Sequence, residues 1–478
     1  MLPLSVQAGL LNKDELRRNF KAAFLSQGIS MLLSIITSLV VPKVLGVTQF
    51  GYWQLFTFYM SYTVYALLGV ADGIYLKEGG KKRNEISCAD TSGQYLVSLC
   101  VQTACATLIV VYALSVEEDG GERAFVFVCV VAMLFLQCAV TYLSWIFQAV
   151  NEPRIYSHAL MANRIVFFLM LVPLLTLRVG DYRWYVGAFI LAEVVMLVYC
   201  VRQGKDFIFH RPCDRRRAVR LFASNAKTGL FLSVAVGAST FSLGIVRLFV
   251  DATQPIEVFS VASLALSLVT FILSFIAQVG MVLFPALRRA NEGERVGFYG
   301  RAKELLSLFL PLMYLCYWPL RWVIGWWLPD YAASFELFLF LIPICVFDSK
   351  MQMVFTTYFK VLRMERVLFA INLSAVLLCA VLALVSLCLL ESLQCALLGL
   401  TVSYIVRSIV ARRTLDRAFG CKMTKADAGE VFVTAMFLSS TLFLQPIASI
   451  VITACSCLLS IIVSGRDARR MMKGDGAV

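Results

Sequence analysis

The sequence predicts an all-α polytopic membrane protein of about 14 transmembrane helices, two six-helix lobes around a central cavity plus two C-terminal helices, with both termini cytoplasmic. Three observations predict it. The chain is 60% hydrophobic and only 15% charged, where soluble domains carry roughly 25% charge, and its mean hydropathy is +0.80. Apolar runs of roughly 17 to 26 residues recur along its length, enough for a helix rising 1.5 Å per residue to cross the hydrocarbon. Lys and Arg gather in alternate loops. No stretch between the runs is long enough to build a separate aqueous core.

Taken in order, the first six runs cover approximately residues 20–41, 53–76, 94–115, 124–148, 157–177 and 185–201. The next six cover approximately 225–249, 258–284, 305–325, 335–357, 367–390 and 393–411. The last two, 430–445 and 447–464, are parted only by Pro446 and are the shortest. The N-terminal residues lack the basic, apolar and small-residue order of a signal peptide, so the first helix is expected to be retained.

Orientation follows from the cations, because Lys and Arg stay on the cytoplasmic side of short loops. With the N terminus inside, most of the 43 Lys and Arg fall on inner segments, among them Lys77–Arg83, Arg202–Arg220 and Arg288-Arg289. Only Lys43, Arg123, Arg178, Arg183 and Arg321 fall outside. The organisation that follows is a cytoplasmic segment 1–19, an N-lobe 20–201, a basic cytoplasmic linker 202–224, a C-lobe 225–411, helices 13 and 14 with their preceding loop in 412–464, and a cytoplasmic tail 465–478. The net charge of +13 is accounted for by this topology, with contact to anionic membrane lipids as a by-product. Its spread over many inner segments gives no single basic face for nucleic acid.

Several function classes are excluded by what the sequence lacks. There is no GxxxxGK[ST] phosphate loop. The 15 cysteines are scattered through apolar runs, where free Cys acts as a small hydrophobe, and form no CxxC pair. The two histidines, His158 and His210, lie at helix ends. Outer loops are short, where a membrane glycosyltransferase or polymerase needs room for its acceptor. The expectation is a transporter, without enzymatic activity, metal or cofactor.

Ionisable residues inside the helices carry the functional information, since each costs about 2.5 to 3.5 kcal/mol at mid-bilayer unless it meets a polar interior. The cations are Arg164, Lys227, Arg247, Lys350 and Arg407. Lys227 and Arg407 lie near inner helix ends and are read as snorkelling to the headgroups. Arg247, and Lys350 two residues beyond Asp348, are read as lining a water-filled cavity. Arg164 either joins them or pairs with Glu193 on the next helix. Asp72 lies between Gly69 and Gly73, which permit close helix approach, and suits a gate, an ion site or a plain helix end. The two halves also hint at a repeat: Pro42-Lys43 precedes Thr48-Gln49-Phe50, and Arg247 precedes Thr253-Gln254-Pro255. A six-plus-six arrangement would bring Lys43 and Arg247 to the outer side of one cleft.

Several of these segments resemble the polysaccharide (O-antigen, Wzx-type) flippases of the multidrug/oligosaccharidyl-lipid/polysaccharide exporter superfamily. The matching stretches are Val40 to Val47 with Phe50 to Phe56, Ala71 to Leu76 with Gly79-Gly80, Gly244 to Arg247, and Phe284 to Arg289. The resemblance implies alternating access around a cationic cavity in a bacterial inner (plasma) membrane. It also implies a lipid-linked oligosaccharide substrate on an isoprenoid (undecaprenyl) pyrophosphate, with a polysaccharide polymerase and chain-length machinery as partners. The expected headgroup cations are Arg247, Lys350, Arg164 and Lys43, with Asp72 and Glu193 in gating or ion coupling. A drug/cation antiporter of the same superfamily, or a membrane glycosyltransferase or polymerase, is the rival reading.

Overall fold

A computed structural model describes residues 33–115, 121–289, 292–420 and 425–472. Every element among them is helical. The chain opens with α1 (Leu33–Leu39) and continues through α2 (Val41–Met60), α3 (Val70–Glu78), α4 (Cys88–Ser115), α5 (Glu122–Ala149), α6 (Pro153–Thr176) and α7 (Tyr182–Phe209). There follow α8 (Arg215–Thr253), α9 (Ile256–Arg289), α10 (Glu292–Phe309), α11 (Tyr317–Trp327) and α12 (Ala332–Lys350). The last are α13 (Thr356–Val361), α14 (Glu365–Leu384), α15 (Leu393–Phe419), α16 (Lys425–Phe443) and α17 (Pro446–Met472).

Among the described residues, ten helices are long and apolar enough to cross a membrane, eleven if the bent pair Leu33–Leu39 and Val41–Leu67 is one span. The expected run 430–445 forms α16 but counts as a shorter apolar helix, and residues 20–32 of the first expected run lie outside the described part. Helices overrun the apolar runs at both ends. The basic segment 202–224 is mostly helix, with α7 reaching Phe209 and α8 beginning at Arg215.

The largest departure from expectation comes early. Residues 42–52, expected as an outer loop, are helical: Pro42 sits in the first turn of α2, where its missing N–H is no loss, and the helix is kinked at Gly46 (φ +72°). The second expected helix, 53–76, is instead broken. After α2 the chain passes a 3₁₀ turn, Thr63–Leu67, and takes left-handed conformations at Leu68 and Gly69 before α3 begins. Hydropathy averages over such breaks because the flanking side chains stay apolar.

The chain divides into two compact units, Met1–Val236 and Gly237–Val478, with the boundary inside α8. The first is built around Leu67, Val70, Tyr95, Tyr142, Phe147 and Phe207. The second has a core of Tyr299, Met351, Phe355, Tyr358, Phe359 and Leu415. Faces of α4, α6 and α17 expose large apolar side chains, such as Leu108, Leu169 and Ile462, the surface expected against lipid tails. Trp322 and Trp326 stand exposed on α11, as interfacial anchors do.

Candidate functional site

In the first unit, α3 and the start of α8 meet through glycine. A Cβ added at Gly229 would collide with the carbonyl of Gly69, and one at Gly73 with the carbonyl of Asn225, so the backbones touch with nothing between them. Polar groups line this seam. Ser233 Oγ donates to Asp72 Oδ2 at 2.6 Å, Asn225 Nδ2 to Gln94 Oε1 at 2.6 Å, and Lys77 Nζ to Ser224 Oγ at 2.7 Å. Asp72, half-buried, is therefore a carboxylate held by a neutral donor at a close helix crossing.

Arg164 and Glu193 face each other from α6 and α7. Asn163 Nδ2 donates to Glu193 Oε2 at 2.9 Å, and the Arg164 charge acts on Glu193 from beside that amide. Arg164 Nε is buried without a hydrogen-bond partner among the described residues. Lys43, expected on an outer loop, is an exposed side chain in the first turn of α2. The cause is plain: the first apolar run stops before Pro42, but a proline is tolerated in the first turn of a helix, and α2 begins there.

In the second unit, Arg247 on α8 is half-buried and donates through Nη2 to Ser263 O at 3.3 Å and Ser267 Oγ at 3.2 Å, both on α9. Lys350 does not face open space. It is 2% exposed and ion-paired with Glu430 of α16, with Ser307 Oγ at 3.3 Å. Arg407, read from sequence as snorkelling, is buried and ion-paired with Asp348. Both residues reach the interior because α12 packs along α15 and also meets α16. Lys227 is exposed.

Sequence reading missed Glu430 as the partner of Lys350, and missed a second buried cluster altogether. Lys303 donates to Asp416 at 2.8 Å, Tyr299 OH to the same carboxylate at 2.9 Å, and Arg412 Nε lies 3.4 Å from it. Lys303, Arg412 and Asp416 fall beside or beyond the expected runs 305–325 and 393–411, and so pass for loop charges. The one available signal was Asp348 so close to Lys350.

The sequence matches no protein-family model and no curated protein. Solved structures match by fold, and that fold is the one of a polytopic membrane protein. A structure of the lipid II flippase MurJ in an inward-closed conformation is similar at a TM-score of 0.64 and 11% identity, over 94% of this chain and 98% of that one. An inward-facing multidrug resistance MATE family transporter of the MOP superfamily is similar at 0.53 and 13% identity, over 84% of this chain and 95% of that one. The chain shares the fold of these two structures.

Proposed function

We propose that this protein is a flippase that carries an isoprenoid pyrophosphate-linked oligosaccharide from the cytoplasmic to the outer leaflet of a bacterial inner membrane, by alternating access, for surface polysaccharide assembly. The observation that carries the reading is the fold shared with a lipid II flippase over nearly the whole of both chains. The intramembrane cations fit it. A pyrophosphate is strongly anionic, and cations recessed in a low-dielectric site attract it and offset its dehydration. Arg247 is the first choice, since a planar guanidinium matches phosphate oxygens bidentately and it lies half-buried on α8 beside the Ser263 carbonyl and the Ser267 hydroxyl. Arg164 and Lys43 are the second choices. Lys350 serves only in a state in which Glu430 has released it. Asp72, at the glycine crossing of α3 and α8, is the proposed gate, and Glu193 the carboxylate that positions Arg164.

The test is the leaflet distribution of lipid-linked saccharide in cells lacking the protein, scored with surface polymer. Accumulation on the cytoplasmic leaflet with loss of surface polysaccharide is the expected result, restored by the wild type and reduced by Arg247→Ala. Undiminished export by a normally inserted Arg247→Ala removes that residue from the path, and normal surface polymer with altered drug sensitivity replaces the flippase by an antiporter. The fold match to MurJ favours one second reading, a lipid-linked peptidoglycan precursor as cargo; arrest of cell-wall synthesis with intact surface polysaccharide selects it.

A further inference from the structure

Charged side chains from four helices pair in the interior of the second unit: Lys303 of α10, Asp348 and Lys350 of α12, Arg407, Arg412 and Asp416 of α15, and Glu430 of α16, all buried. Asp416 is well supplied, with Lys303, Tyr299 and Arg412 around it. Asp348 takes Arg407 on one oxygen and the Gln352 amide, at 2.7 Å, on the other. Glu430 differs. Its Oε2 takes the Lys350 ammonium, while its Oε1 is buried with no hydrogen-bond partner among the described residues.

A buried carboxylate oxygen without a donor leaves charge that is desolvated and uncompensated. A proton on that oxygen removes the charge. The helix that presents Lys350 is irregular on both sides of it: Pro343 removes a backbone donor within α12, and a single π-turn, Met351–Phe355, follows Lys350 directly. Such π-turns occur frequently at functional sites, whereas a static ion pair needs no break in its helix. The groups acting on Glu430 are Lys350 from α12 and Arg412 from α15. Tyr314, whose hydroxyl lies 2.8 Å from Thr434 Oγ1 on α16, senses it as well. Lys303, on the adjoining α10, acts in turn on Lys350.

We infer that Glu430 is a proton-binding site that controls the counter-ion of Lys350. A hydronium ion gives its proton to Oε1: its O–H bond breaks, leaving water, as an O–H bond forms on the carboxylate, and no bond of the protein breaks. The carboxylate becomes a neutral acid, and among the described residues the Lys350 ammonium keeps Ser307 Oγ as its near acceptor. Two consequences follow together: α16 loses its ionic tether to α12, and a buried cation becomes available to an anion. On the orientation read from the Lys and Arg distribution, these residues lie towards the cytoplasmic side, where a proton and an anionic headgroup both arrive. The inference needs no knowledge of the cargo, so it stands or falls separately from the flippase reading.

The test is infrared difference spectroscopy of the purified full-length protein in lipid nanodiscs as pH is lowered. The expected result is a carboxylic acid C=O band from a water-excluded site that grows with acidification, is absent from Glu430→Gln, and titrates at a displaced pH in Lys350→Met. Because Glu430→Gln strands the Lys350 charge, the double variant Glu430→Gln/Lys350→Met is measured beside it, with thermal denaturation as the check of folding. A titrating band that persists in the folded double variant, or no titrating band in the wild type, overturns the proposal and leaves the pair as a fixed staple.

Discussion

The two units of the chain handle intramembrane charge in opposite ways. In the first, Asp72 and Glu193 are each held by one neutral donor, the Ser233 hydroxyl and the Asn163 amide, and close packing comes from glycine backbones. In the second, carboxylates meet cations directly and both are sealed from solvent. A neutral donor is released at lower cost than a charged one, which is the basis for proposing Asp72 as the gate. A buried ion pair is costly to break one partner at a time, so the second suits a contact that holds until a proton or an anion exchanges for one partner.

That contrast can be broken from the second unit first. Lys350→Ala leaves Glu430 charged, buried and unpaired, and is expected to destabilise by about 3 to 5 kcal/mol, whereas Lys350→Met combined with Glu430→Leu is expected to lie near wild type. Chemical denaturation in detergent measures both, and equal losses in the single and double variants refute the pairing. Next in size, Gly229→Val forces a side chain into the backbone of α3 and is expected to cost about 3 kcal/mol. Wild-type stability in that variant means that the crossing is not close-packed. Ser233→Ala removes a hydrogen bond to a carboxylate, with an expected loss of about 1.5 kcal/mol, and accelerated crosslinking or proteolysis at the α3 end tests whether the seam loosens as well. The smallest effect belongs to the Arg83–Glu152 pair, 3.0 Å apart and over a third exposed on both sides. Arg83→Ala is expected to cost less than about 1 kcal/mol, and a larger loss shows that its place over the Phe207 ring matters more than its charge.

The class of protein was legible without coordinates. Apolar runs long enough to span a bilayer admit few structures besides helices, because backbone groups in hydrocarbon must be satisfied within the segment, and ten or eleven spans stand among the described residues. Local signals that depend on a single residue were harder to read: Pro42 serves equally as a helix stop and a first-turn residue, and the break at Leu68-Gly69 is hidden among apolar neighbours.

Which charges become a site was decided by tertiary structure alone. The sequence picked out Lys350, Arg407 and Asp348 because they interrupt apolar runs, but Lys303, Arg412, Asp416 and Glu430 stand at run edges, where a charge ordinarily meets water. They are buried because helices extend beyond their apolar runs and neighbouring helices cover those extensions. Composition and periodicity determine that a segment enters the membrane, since that is a property of one helix and its solvent. Whether a charged residue at its edge faces water, a lipid headgroup or a carboxylate on another helix depends on which helices become neighbours, and only the folded chain settles that.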